Sequence, residues 1–181
     1  MELSNAISRS VAAGTLVPGA SDAMARELAD RAGSMWTRTQ FDPGHFTASG
    51  FVGSPDGTAL LLVEHARLGR WLQPGGHFEA VDRSVDAAAR REILEETGVE
   101  DLTTLDRRII RIDAHPIPAR SEEPAHTHVD LAMAYRAETW TIGPIEEVLD
   151  ARWVRFEKLA GFDTDDAVRR GAASLEALIA R

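Results

Sequence analysis

Three glutamates, Glu92, Glu95 and Glu96, stand at i, i+3 and i+4 within Arg91-Glu92-Ile93-Leu94-Glu95-Glu96-Thr97-Gly98-Val99. On a helix those offsets make side chains neighbours. Like charges so placed repel by roughly 0.2–0.5 kcal/mol per exposed pair, so a positive partner is expected among them. An all-oxygen, acid-rich set suits a hard divalent cation, Mg²⁺ or Mn²⁺. Alone, the three glutamates would equally describe the solvated face of an amphipathic helix. The preceding stretch, Pro74-Gly75-Gly76-His77-Phe78-Glu79, shifts the balance. Paired glycines after proline serve unusual φ angles or close approach of backbone to a ligand. Gly98 fits a left-handed cap that ends the helix.

The histidines form a second set with chemistry. His126, His128 and Asp130 alternate, which on a strand turns all three to one face. His115 ends the preceding strand and His77 lies inside the glycine segment. They could contact substrate phosphates or a second metal, or simply bond backbone in a long loop. His77 is the strongest of them, because it interrupts a glycine segment suited to close approach of backbone to a ligand.

These residues need a scaffold. Phe46 to Val52 and Thr58 to His65 read as strands around the turn Ser54-Pro55-Asp56-Gly57, a predicted hairpin. Trp71-Leu72-Gln73 reads as a short strand entering the glycine loop, its Trp an anchor or a stacking platform. Asp82 or Ser84 can cap a helix over 84–97. Leu105 to His115 should be a strand with Ile110, Ile112 and Ala114 on one face and Ile109, Arg111, Asp113 and His115 on the other. A proline-interrupted loop over 116–125 precedes an alternating strand from His126 to Glu138. Arg152 to Phe156 reads as a last strand, and Asp163 as the cap of a helix over 164–180 with Val168, Leu175, Leu178 and Ile179 inward. Ser21-Asp22 opens a further helix over 22–33, expected to pack on the domain or on a second subunit, which would make a homodimer. This order gives an α/β sandwich, a mixed sheet between helices.

Composition sets bounds. The chain of 181 residues fits one domain with a good core, and 44% apolar with 27% charged residues is ordinary for a globular protein. With no cysteine, disulfides, thiolate zinc sites and a Cys nucleophile are excluded. A net charge of −9 argues against general affinity for nucleic acid. Neither a run of membrane-spanning length nor a basic-then-apolar leader is expected, so the reading is cytoplasmic and without a membrane partner.

The acidic stretch resembles the Nudix box: Gly, five residues, Glu, seven residues, then Arg-Glu-U-x-Glu-Glu-x-Gly-U, with U aliphatic. Arg91, Glu92, Ile93, Glu95, Glu96, Gly98 and Val99 fit every position of the second half. In the first half, five residues after Gly76 lead to Asp82 instead of Glu, and eight residues separate Asp82 from Arg91. The resemblance implies a Nudix-type α/β/α sandwich over 41–181, with 1–40 as a helical extension. It implies Mg²⁺-dependent hydrolysis (Mn²⁺ as substitute) of the pyrophosphate in a nucleoside diphosphate linked to another moiety, or in a nucleoside triphosphate. Glu92, Glu95 and Glu96 would hold the metal, Glu92 would also orient or deprotonate the water, and Arg91 would fix a box glutamate. Gly75, Gly76, His77, His126 and His128 would face the nucleotide substrate. The general base would be a loop glutamate, Glu147 or its neighbour Glu146, with Glu122 and Glu123 next. The Asp82 departure and the inserted residue leave open a catalytically reduced domain that senses a nucleotide or sugar-nucleotide.

Overall fold

The computed structural model describes residues 35–120, 122–145 and 148–181. The helix expected over 22–33, and Glu146 and Glu147, lie outside these residues. In chain order the elements are β1 (Gly44–Gly53), β2 (Ala59–His65), β3 (Arg70–Leu72), β4 (Gly75–His77), α1 (Val85–Thr97), β5 (Leu102–Ile117), β6 (His126–Ala137), β7 (Ala151–Arg155), a 3-10 turn (Phe156–Gly161) and α2 (Asp166–Ile179).

One mixed sheet carries the strands in the order β3-β2-β1-β6-β5, with β4 added to β1 and β7 to β2. β1 is central and buried along its whole length. It runs parallel to β6 from Gly44↔Thr127 to Gly53↔Arg136. The expected hairpin exists only at its tip, where Gly53 pairs with Leu60. Beyond the tip, β2 leaves β1 for β3 and β7. The gap beside β1 is filled by β4, so the glycine segment is a strand and not a loop. Two glycines carry no side chain to announce a strand, yet they let β4 lie close to β1: a Cβ on Gly75 would meet Ser49 Cβ at 2.5 Å.

Alternation along β1 and β6 builds two cores. Phe46, Ala48, Val52, Val129, Leu131, Met133 and Tyr135 pack against Ala88, Ala89 and Ile93 of α1. Phe51, Leu60, Leu62, Ala132, Ala134 and Val154 pack against Val168, Ala172 and Leu175 of α2. The result is the α/β/α sandwich expected. The alternation predicted for β5 fails in one place. Register shifts between Thr104 and Asp106 and between Asp106 and Arg111 put Ile109 with Ile112 on the α1 side and Ile110 on the α2 side.

Helix ends follow their caps. Ser84 Oγ accepts from Ala87 N at 3.0 Å to start α1, and Gly98, at φ 65°, ends it with its N–H returned to Leu94 O. Asp165, not Asp163, caps α2 by accepting from Val168 N at 2.9 Å. Asp163 instead stands 3.6 Å from Arg70 Nε. Trp71 packs edge-on to Phe162 at 5.6 Å with the Arg152 guanidinium over its ring at 5.0 Å, which is the anchor role.

Candidate active site

α1 lays its acidic face along β4. A Cβ on Gly76 would fall 2.6 Å from Glu92 Oε2, so the strand backbone sits directly on that carboxylate. One residue earlier, Gly75 N donates to Glu96 Oε2 at 2.9 Å. Glu92 and Glu96 are buried, at 7% and 8% exposure, while Glu95 is largely solvent-facing. Thus α1 and β4 bring Glu92, Glu96, Gly75 and Gly76 together, with Glu95 at the rim.

Arg91 organises this face. Its Nη1 donates to Glu92 Oε1 at 2.9 Å and to Glu95 Oε2 at 2.7 Å. Its Nη2 donates to the His77 carbonyl at 2.8 Å and to Asp82 Oδ2 at 2.9 Å, and its Nε reaches Asp82 Oδ1 at 3.3 Å. Burial opposes the charge, but the bonds to Asp82, Glu92 and Glu95 outweigh it and hold the Arg91 pKa above its usual value. Asp82 does not cap α1. It is the buried partner of Arg91 (side chain 3% exposed) and also accepts from Glu79 N at 2.8 Å. The shorter carboxylate and the extra residue therefore still deliver an anion to Arg91. A single positive charge faces the three carboxylates that Arg91 touches, so negative charge remains in excess. The donor set is carboxylate oxygen throughout, which fits a hard cation such as Mg²⁺.

The histidines gather elsewhere. His77 pairs with Thr47 and His45 with His128 in the sheet. Their side chains therefore project from the face opposite Phe46, Ala48 and Gly76, away from α1. His45 approaches His128 at 4.6 Å, His77 at 5.1 Å and His126 at 4.9 Å between ring centroids. Burial first, then the neighbouring His45 charge, pushes His77 down to about 4 and His128 to about 3. Burial also lowers His45. His115 behaves oppositely: its bond to Asp113 raises it. Below this cluster Asp130 accepts from Ser49 Oγ at 2.5 Å and Thr47 Oγ1 at 3.1 Å, and its burial raises its pKa. Of the loop glutamates considered as base, Glu122 and Glu123 lie in the turn before β6. His45 had no signal in the sequence that set it with the others.

An α/β/α sandwich whose acidic helix backs a glycine strand defines a class of hydrolase scaffold. The NUDIX domain family model matches residues 43–175, and the chain belongs to the NUDIX family. No curated protein sequence matches it. Among solved structures, a NUDIX-family hydrolase from Clostridium perfringens is similar at 22% identity and TM-score 0.60, over 75% of this chain and 97% of the other. The NUDIX domain of Shewanella oneidensis NrtR, in complex with ADP ribose, aligns at 16% identity and TM-score 0.59, over 83% and 97%. The dihydroneopterin triphosphate pyrophosphohydrolase of E. coli aligns at 16% and TM-score 0.54, over 73% and 94%. Among the described residues no helix is long and apolar enough to cross a membrane.

Proposed function

We propose that this chain hydrolyses a pyrophosphate bond in a nucleoside diphosphate linked to another moiety, or in a nucleoside triphosphate, with Mg²⁺ or Mn²⁺ as cofactor. The observation that carries the reading is the Arg91 network, which holds Glu92 and Glu95 in fixed geometry beside Gly76. Glu92, Glu95 and Glu96 are the metal ligands. The cation, when bound, neutralises phosphoryl oxygens and lowers the pKa of a coordinated water. Arg91 keeps the Glu92 carboxylate oriented for that ion and for the attacking water. β4, bare of side chains at Gly75 and Gly76, lets phosphates approach the carboxylates closely. Glu147 is assigned as the base that takes the proton of the water. Water adds to one phosphorus, the bridging oxygen leaves with the other, and the products are two phosphate-ended fragments.

A nucleotide-linked substrate is supported by the ADP ribose complex among similar folds, and pyrophosphate hydrolysis by the dihydroneopterin triphosphate pyrophosphohydrolase. The sensor alternative rests on Asp82 and the inserted residue; the Asp82 bond to Arg91 across that insertion supports the hydrolytic reading. A panel of nucleotide sugars, dinucleoside polyphosphates, ADP-ribose and nucleoside triphosphates, each with Mg²⁺ and Mn²⁺, tests the proposal. At least one should yield a nucleoside monophosphate or phosphate, and Glu96→Gln should abolish that turnover with the fold intact. No turnover on the panel, or an active Glu96→Gln, sinks it.

A further inference from the structure

The histidine cluster on the face away from α1 has the construction of a metal site. Ligand nitrogens of His45, His77 and His128 all lie within 4.8 Å of one another. Each comes from a different strand, β1, β4 and β6, so the sheet registers fix the arrangement. His45 is the informative member. Its Nδ1 stands 3.0 Å from the Gln40 carbonyl, and because a carbonyl only accepts, Nδ1 carries the proton. The lone pair is then on Nε2, which is buried at 1% residue exposure and has no hydrogen-bond partner among the described residues. A buried polar atom left so costs about 1–3 kcal/mol and demands an explanation. One ring nitrogen anchored on a backbone carbonyl with the other bare is how metal-binding histidines are held.

We propose that His45, His77 and His128 bind a transition-metal ion of the zinc class, at a site separate from the carboxylates of α1. Three imidazoles suit Zn²⁺ and its neighbours, whereas Mg²⁺ takes oxygen. Zn–N bonds of about 2.0–2.1 Å in a tetrahedron set the nitrogens about 3.3 Å apart. From within 4.8 Å of one another, the nitrogens reach that distance only if the half-buried His77 and His128 rings turn toward His45. The fourth position stays open to water or to an oxygen of a bound molecule. His126, stacked on His45 at 4.9 Å with its own Nδ1 held by the Pro124 carbonyl at 2.8 Å, walls the site. His115, 5.7 Å from His128, lies behind it. The bound ion would tie β4 to β1 and β6 on one face while Gly76 of the same strand meets Glu92 on the other. The inference stands on the imidazoles and does not depend on the phosphate chemistry.

Intact chain freed of metal by chelation and titrated with Co²⁺ gives the test, since a nitrogen-bound ion of low coordination absorbs strongly in the visible and a six-coordinate one weakly. One equivalent should produce strong bands that Zn²⁺ displaces. His77→Gln and His128→Gln, both at half-buried positions, should weaken Co²⁺ binding by at least about 100-fold while keeping a cooperative melt. Glu92→Gln should leave the bands in place. Weak six-coordinate spectra, or undiminished bands in folded His77→Gln and His128→Gln, overturn the proposal. So does loss of the bands in Glu92→Gln alone.

Discussion

Arg91 and Asp82 form a two-point pair: Nη2 to Oδ2 at 2.9 Å and Nε to Oδ1 at 3.3 Å. Eight residues separate them, one more than the seven of the box pattern, and the pair closes nonetheless because the loop between His77 and Ser84 absorbs the extra residue. Asp82 is nearly solvent-free, so its bonds are charge-assisted and sheltered from screening. Asp82→Asn keeps the shape and removes the charge. It should cost about 2 kcal/mol in a denaturant melt and raise the Mg²⁺ concentration needed for half-maximal turnover. Unchanged metal dependence would show that Arg91 holds its glutamates without Asp82.

Arg91→Lys should be worse than its similarity suggests. The guanidinium serves Glu92, Glu95, Asp82 and the His77 carbonyl at once. An ammonium has three donors on a flexible stem and cannot span that set. Metal affinity should drop about 10–100-fold, the usual cost of losing an outer-shell partner, while the core, supplied by Ala88, Ala89 and Ile93, keeps the melt cooperative. A Mg²⁺ titration followed by turnover and by spectroscopic melting separates the two effects.

Gly76→Ala tests the contact between β4 and α1. The added methyl would fall 2.6 Å from one Glu92 oxygen and 2.7 Å from the other. The carboxylate is the mobile party, so the expected outcome is a displaced Glu92 in a folded protein, with kcat down by at least about 100-fold, roughly 3 kcal/mol of barrier. Normal turnover in Gly76→Ala would remove Glu92 from the reaction.

What the sequence made legible follows from how local each signal is. α1 was readable to within a residue because its caps, Ser84 and Gly98, and its acidic spacing all lie within one short stretch. The shared face of His126, His128 and Asp130 was readable from the two-residue period of a strand. β4 was not, because Gly75 and Gly76 carry no side-chain pattern, and their strand state comes only from pairing with β1. His45 was missed for a related reason. It follows a Pro-Gly turn, and its partner His128 is brought alongside by a parallel pairing across more than eighty residues. The β5 faces failed at a bulge, which no alternation rule anticipates. Asp82 was visible as an acid, but its choice between helix cap and Arg91 partner is a matter of loop path.

The histidines also set a pH dependence of stability. Metal-free protein is the right sample, since a bound ion would compete with protons. His77 is held at about 4 and His128 at about 3, by burial first and then by neighbouring charge, against the usual 6.5; His45 and His65 are lowered by burial. A folded-state pKa below the unfolded one means that the unfolded chain binds more protons as pH falls through about 6.5. Their contribution is therefore fully present above that value and is lost progressively toward pH about 4 and then about 3. His115 has the opposite sign, since its bond to Asp113 raises its pKa and its contribution fades with rising pH. Four lowered histidines against one raised make the net slope positive. The denaturant midpoint should fall between pH 6.5 and about 4, and that fall should be shallower in the double variant His77→Asn, His128→Asn. Carboxylates elsewhere in the chain also titrate on the acid side, so the difference in slope between parent and variant is the quantity to read. Equal slopes would mean that these rings take up protons in the folded state as readily as in the unfolded one.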